Sequence, residues 1–334
     1  MLILSIWALA KTMDLLSDIL GRLRLKGTLY FRTSFTSPWG VKVPSYKNVA
    51  RFHFVHKGRC LVRIEGVDDP MMLEQGDLIV IMRGQSHTLY CDPKTELDSL
   101  PLDEVIEKSG FTGTGALVYG EFGTGHETQL VCGHFEFQDY ATHPLIDELP
   151  RYIHISNYGD DQAIWLENTL KIIGAEAGKE KAGGELIAIK LSEIIFVQML
   201  RAFLDKDGQQ YQVLSGLSDE KIAKVLTAIH ENPSYNWTLD ELAKTAGQSR
   251  TAFATHFSKK MAMSPLNYIT NWRMQLARQQ LVETPDPMIT VAECAGYQSE
   301  AAFGRVFKKY FTMAPATFRR EYGNIDTVNQ HISL

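Results

Sequence analysis

The chain has 334 residues, 45% hydrophobic and 22% charged, with a net charge of −5, which fits an ordinary water-soluble globular protein and carries no general nucleic-acid signature. Its length suggests two domains. Cys60, Cys91, Cys132 and Cys294 lie far apart with no CxxC pair, which implies no disulfide framework and fits a reducing cytoplasm best.

The first ten residues, MLILSIWALA, are apolar but too short to span a bilayer and lack the flanks of a signal peptide. Residues 1–27 therefore read as an N-terminal extension or a packed terminal helix, with Met13 an alternative start and no membrane partner expected. Residues 28–160 read as a β-rich domain. Short apolar runs (RFHFVHKG, CLVRIEG, DLIVIM, GALVYGEF) are bounded by Gly, Asp and Pro, the pattern of a sandwich or barrel. Residues 95–113 are polar and acidic with Pro and Gly, and are expected to form a mobile loop.

A helical pair is expected over 161–204. In the first helix Ile164, Leu166, Leu170 and Ile173 form an apolar stripe. The second, ELIAIKLSEIIFVQMLRAFL, is apolar nearly all round and should be buried, either in a dimer or against its own domain. Residues 205–217 read as a linker, 218–322 as an all-helical domain and 323–334 as a tail.

The helical domain contains an internal repeat. Residues 248–265, QSRTAFATHFSKKMAMSP, and 298–315, QSEAAFGRVFKKYFTMAP, share eight identical positions at an offset of 50. Such self-similarity marks a duplicated supersecondary unit. Each copy follows a short amphipathic segment and a glycine, Gly247 or Gly296, suited to turn the chain. Thr238 with Glu241 forms a capping box, and Ser249, Ser264 and Ser299 are placed to cap helices. Thr290 is expected to start the second cycle and Pro315 to open a last short helix. This is the pattern of two helix-turn-helix units. Residues 218–322 hold 13 Lys+Arg against 10 Asp+Glu, making the repeat region the basic part of an acidic chain.

In a helix-turn-helix the second helix enters the major groove and its N-terminal half reaches base edges. Phe253/Phe257 and Phe303/Phe307, each spaced i, i+4, supply the buried faces. Arg250, Thr251, Ala254 and Thr255 occupy the other face of the first helix. Glu300, Ala301, Gly304 and Arg305 take the equivalent places on the second, with Ser299 at its start. Arg305 can pair with guanine O6/N7 or hold a phosphate, and Glu300 can accept from a cytosine amine. The small residues favour methyl contacts and shape readout. Lys259, Lys260, Lys308 and Lys309 suit phosphates or the helix dipole. A plain helical bundle with Phe core packing is the alternative, and two matched copies argue against it.

These residues carry a resemblance. Residues 218–322 resemble the DNA-binding domain of the AraC/XylS family of bacterial transcription regulators, most specifically through ECAGYQSEAAFGRVFKKYFTMAPATFRR. Thr312-Met313 departs from the family's glycine followed by a small residue. The resemblance implies double-stranded promoter DNA as partner, two recognition helices entering successive major grooves, and an action on RNA polymerase.

Upstream, GDLIVIMRGQSH resembles the second cupin motif, with Met82 in place of proline, and FHFVHKGRCLVRIEG fits part of the first. His53 then lies near a carboxylate-ligand position and His87 at the last histidine ligand, while the usual HxH pair is absent. The region resembles the cupin-type ligand-binding domain of one AraC subfamily. The expected fold is therefore α+β and multidomain: a cupin-like β-barrel with a helical pair, then an all-α double helix-turn-helix.

His53, Cys60, His87 and Cys132 are the effector or redox candidates. They fit ordinary core packing, a soft metal site of imidazole and thiolate with His53 and His87 among its ligands, or a Cys60/Cys132 redox sensor; His126, His134 and His143 have no useful spacing. No cofactor is called for. The expectation is a non-enzymatic cytoplasmic homodimer controlled by an unidentified small effector or by oxidation. The alternative is a metal-dependent cupin enzyme fused to a DNA-binding domain, disfavoured by the missing ligands.

Overall fold

The computed structural model describes residues 14–23, 26–47, 49–113, 115–120, 125–137, 143–156, 168–169, 172–173, 176, 182–207 and 210–323. Most of the first expected helix of the 161–204 pair, including Ile164, Leu166 and Leu170, lies outside the described residues. The chain forms two compact units. One comprises Leu25–Asp139 and Leu149–Lys206. The other comprises Met1–Arg24, Tyr140–Glu148 and Asp207–Leu334. No helix among the described residues is long and apolar enough to cross a membrane.

The first unit is built on two sheets. One has six strands in the order β11-β6-β3-β10-β1-β9: β1 Lys26–Thr36, β3 Val49–Lys57, β6 Leu78–Ile81, β9 Ala116–Gly120, β10 Glu127–Glu136 and β11 Tyr152–Ile155. The other has five in the order β5-β4-β7-β2-β8: β2 Gly40–Val43, β4 Arg59–Ile64, β5 Met71–Glu74, β7 His87–Tyr90 and β8 Leu100–Pro101. Pairing is antiparallel except for β1 with β9 and β2 with β8.

The side-chain alternation of strands explains the packing. Val55, Leu130, Cys132, Ile79 and Ile81 point to the interior, where they meet Val41, Val62 and Leu89. On the outer face, Phe52 stacks on Phe135 at 5.0 Å, and Phe135 meets Phe196 at 4.8 Å. β3 is thus buried on both faces, which is why it reads as a continuous run rather than an alternating one.

Phe196 belongs to helix α4, Gly184–Asp207. Its buried residues Ala188, Ser192, Ile195, Phe196, Met199 and Phe203 recur at helical spacing. On its other face Leu186, Ile187 and Ile194 are 61%, 47% and 43% exposed in the single chain.

The expected loop over 95–113 is also corrected. It contains β8 and helix α2, Leu102–Ser109, with acidic Asp103 and Glu104 in its first turn, Lys108 in its last and Gly110 as a left-handed cap. Val105 is fully buried, with Leu102 and Ile106 packed beside it in the barrel core. Apolar residues at i, i+3 and i+4 inside the acidic stretch supply a packing stripe that overrides its loop-like composition.

The second unit contains α1 Leu15–Leu23, α3 Pro144–Glu148, α5 Gln212–Leu217, α6 Glu220–Glu231, α7 Leu239–Thr245, α8 Arg250–Met261, α9 Pro265–Glu283, α10 Met288–Cys294, α11 Glu300–Phe311 and α12 Pro315–Tyr322. Thr238 and Glu241 form the expected capping box on α7. Ser249, Ser264 and Ser299 cap α8, α9 and α11. The second cycle starts two residues before Thr290, with Pro287 at the N-cap position of α10. A residue preceding a helix needs only extended backbone, which proline provides.

Candidate nucleic-acid interface and sensor site

The two helix-turn-helix turns are built alike. After α7, Gly247 N–H donates to Lys244 O at 3.0 Å and Gln248 N–H to Ala243 O at 2.9 Å. After α10, Gly296 N–H donates to Glu293 O at 2.8 Å and Tyr297 N–H to Ala292 O at 2.9 Å. Both are Schellman closures. The residue after the cap must be left-handed, and Gly247 and Gly296 have φ of 62° and 77°.

The following helices, α8 and α11, then present matching exposure. Phe253, Phe257 and Met261 on α8, and Phe303, Phe307 and Phe311 on α11, are buried. Phe253 meets Phe257 at 5.6 Å and Phe303 meets Phe307 at 5.4 Å. Each fully buried aromatic contributes about 1.5–3 kcal/mol. That burial fixes the opposite faces outward. Arg250, Thr251, Thr255 and Lys259 are exposed on α8, as are Glu300, Ala301, Arg305 and Lys308 on α11. Ala254 and Gly304 are half-buried at matching positions, and Ser299 is exposed at its cap. The faces thus share geometry and differ in chemistry. One difference is electrostatic: Arg250 has Asp240 Oδ2 3.6 Å away, with both side chains well exposed.

In the barrel, the structure brings together three of the four sensor candidates. His53 stands on β3 of the larger sheet and His87 on β7 of the smaller, and their Nε2 atoms are 2.8 Å apart. His53 Nδ1 is 3.2 Å from Cys132 Sγ, and His87 Nδ1 is 3.1 Å from Gln85 O.

The carbonyl can only accept, which orders the chain. His87 Nδ1–H donates to it, so the neutral His87 accepts at Nε2. His53 then donates from Nε2 and accepts at Nδ1 from the Cys132 thiol. Burial holds both rings neutral. It lowers His53 well below its ordinary value, with His87 and Arg51 adding to the effect, and lowers His87 to about 4 despite its bond to Gln85. Burial pushes the Cys132 thiol up to about 12 and raises Cys60 further, with Cys132 nearby adding to the rise. Both cysteines are buried thiols, the less reactive form. Cys60 is fully buried in the barrel core.

Two imidazole nitrogens bound tetrahedrally to one zinc-like ion sit about 3.4 Å apart, given Zn–N bonds of about 2.1 Å. The 2.8 Å separation suits a hydrogen bond instead, and among the described residues no group of three or more His, Cys, Asp or Glu converges on a metal position. His134 is buried on the neighbouring strand, and burial lowers its pKa to about 4. His143 belongs to the other unit.

Sequence reasoning overlooked an open cleft of about 1280 Å³ at the far end of β7, lined among others by Lys57, Arg59, Cys91, Lys94 and His126. Cys91 Sγ accepts from Trp39 N–H at 3.2 Å there. No motif marks these residues. They come from three separate turns, so only the fold assembles them.

Comparison with known proteins places these features. A family model described as "Cupin" matches residues 14–205, and one described as "Helix-turn-helix domain" matches 242–321. The chain is 30% identical over 316 residues to a putative AraC-like transcription regulator of Streptomyces antibioticus, covering 92% of this chain and 99% of that one. It is 26% identical to the HTH-type transcriptional regulator MtrA of Neisseria gonorrhoeae, covering 93% and 99%. A solved DNA-binding transcriptional dual regulator from Escherichia coli K-12 is 28% identical over 30% of this chain and 88% of its own, with a TM-score of 0.29. With a cupin domain in front and an AraC-type double helix-turn-helix behind, the chain belongs to the AraC-like family of DNA-binding transcription regulators.

Proposed function

We propose that the protein binds promoter DNA through the exposed faces of α8 and α11, as a homodimer in the cytoplasm, and passes a chemical signal from the barrel to RNA polymerase. The carrying observation is the matched exposure of the two helices with unlike side chains. Thr251, Ala254 and Thr255 present methyls and hydroxyls, whereas Glu300 and Arg305 present charge. Each protomer then reads an asymmetric, bipartite sequence. Lys259 and Lys308 lie one turn further on, where they meet phosphates.

Leu186, Ile187 and Ile194 support the homodimer, because a second copy would cover an apolar face that water otherwise contacts. The sensor reading rests on His53, His87 and Cys132, a directed hydrogen-bond chain beside the apolar core of the barrel. An effector or oxidant reaching it must replace those bonds, so it favours a different arrangement of the two sheets, as differential affinity requires.

Genome-wide mapping of bound DNA, followed by footprinting of a recovered site, tests the DNA reading. A two-part protected site whose affinity falls steeply with salt is expected. Binding with no sequence preference rejects it.

A further inference from the structure

The first recognition helix is held at its C-terminal end by α5, and α5 is held by a residue that lies 64 positions earlier in the chain. Tyr211, at the N-cap position of α5, offers no side-chain cap. The free N–H groups of the first turn are met instead by Glu148, the last residue of α3. One of its oxygens accepts from Gln212 N–H. The other accepts from Val213 N–H at 2.6 Å and Leu214 N–H at 3.2 Å. A carboxylate on a helix N-terminus satisfies orphan donors and the positive end of the dipole together.

α5 in turn grips α8. The Gln212 amide donates to Lys259 O, a carbonyl in the last turn of α8, and Lys260 Nζ donates to Ser215 Oγ at 3.2 Å. Gly216 lies so close that a Cβ there would stand 2.9 Å from both Lys260 O and Met261 Sδ. Val213 and Leu214 are buried beneath these contacts. The second half has no room for a similar device before its own helix-turn-helix, because only residues 284–287 separate α9 from α10.

We propose that Glu148 is a positioning residue for the first recognition helix, setting the pose of α8 through α5 while leaving α11 untouched. Glu148 directly precedes Leu149, where the chain re-enters the barrel unit. The segment that carries the cap is therefore covalently continuous with the sensor, and a change there reaches one of the two readers. The inference rests on the assignment of α8 and α11 as the DNA-reading helices.

The test is single-nucleotide footprinting of the full chain on a site recovered by genome mapping, with Arg305→Ala as the reference that marks the α11 half. Glu148→Gln keeps the shape and removes the charge. It should weaken protection of the other half roughly five- to tenfold, as loss of a charged cap predicts, and leave the Arg305-dependent half unchanged. Equal weakening of both halves, or of neither, overturns the proposal. If Glu148→Gln does not fold, Gln212→Ala decides. Gln212 is exposed, so the variant retains the fold and loses the Lys259 contact. It must give the same one-sided loss, and unchanged protection overturns the proposal. Wild-type protein that protects no duplex site overturns the assignment of the reading helices themselves, and is thereby distinguished from failure of the Glu148 role alone.

Discussion

The two helix-turn-helix halves share turns, caps and buried phenylalanines, yet their cores are closed differently. The second half is a compact aromatic cluster: Phe307 meets Phe311 at 4.5 Å and Phe318 at 5.5 Å, over Met274, Ala277 and Leu281 of α9.

The first half is closed by polar groups borrowed from elsewhere in the chain. Leu145 N–H donates to His143 Nδ1 at 3.1 Å, so His143 donates from Nε2 to Tyr268 Oη at 3.2 Å. Tyr268 then donates to His230 Nε2 at 2.8 Å, leaving the Nδ1 proton of His230 toward Asp18 Oδ2, 2.9 Å away on α1. The His230 ring is fully buried and stacks on Trp272 at 3.7 Å. Arg278, also fully buried, donates to Arg22 O at the C-terminal end of α1, a favourable place for a cation. A duplicated scaffold has thus diverged in what surrounds it: aromatic packing in one half, a buried polar chain ending at Asp18 in the other.

The largest effects should come from what the halves share. Phe257→Ala and Phe307→Ala each remove a fully buried ring and should each cost about 3–5 kcal/mol in urea unfolding. A loss below about 1 kcal/mol at either position would break the equivalence of the scaffolds.

Acid should separate the halves. Burial lowers His143 to about 3, and it lowers His230 despite the opposing Asp18 contact. For Asp18 itself burial works upward, yet His230 and Arg22 bring its carboxyl below the usual value. The folded-state histidine values lie below the unfolded value of about 6.5, so the unfolded chain takes up protons first as pH falls. Stability is complete above about pH 6.5 and declines toward the folded values, by up to about 1.4 kcal/mol per pH unit for each ring. Residues 265–322 contain no histidine. Hydrogen exchange between pH 7 and pH 4.5 should therefore show α6 and α8 losing protection before α11 and α12. Equal loss would mean that the histidine chain does not set acid sensitivity.

The reading faces offer a third comparison. Arg305→Ala should weaken specific binding by about 1–3 kcal/mol, whereas Thr255→Ala, which removes a methyl and a hydroxyl, should cost about 1 kcal/mol or less. Gel-shift titration at fixed salt measures both, and the reverse order would place the stronger reader in the first half.

The smallest effect lies where each recognition helix ends. Ala262 and Thr312 are left-handed at φ of 56° and 61°. β-branched Thr312 bears the greater strain, so Thr312→Gly should raise stability by about 1 kcal/mol in thermal melts, and Ala262→Gly by less. A loss at Thr312 would show that its hydroxyl, 2.6 Å from Phe311 O, outweighs the backbone strain.

Much of the DNA-binding region was legible because its signals are local. The caps Ser249 and Ser299, the turns at Gly247 and Gly296 and the i, i+4 phenylalanine pairs each act within a few residues. The start of α10 was misplaced because Pro287 supplies extended backbone without a side-chain cap, so Thr290 looked like the stronger signal. α2 was missed because three apolar residues in an acidic stretch count only once a core exists to receive them. Of the sensor candidates, His53, His87 and Cys132 meet because β3, β7 and β10 bring them together from two sheets.

Sequence alone determined the family, the two domain classes, the duplicated helix-turn-helix and the outward residues of α8 and α11, because periodicity, capping and turn chemistry are encoded in short stretches of chain. Tertiary structure decided which distant groups meet: Glu148 on the first turn of α5, Asp18 against His230, and His53 facing His87 across the barrel. Those pairings depend on burial and on the mutual approach of elements 34 to more than 200 residues apart, and no spacing rule within one element specifies them.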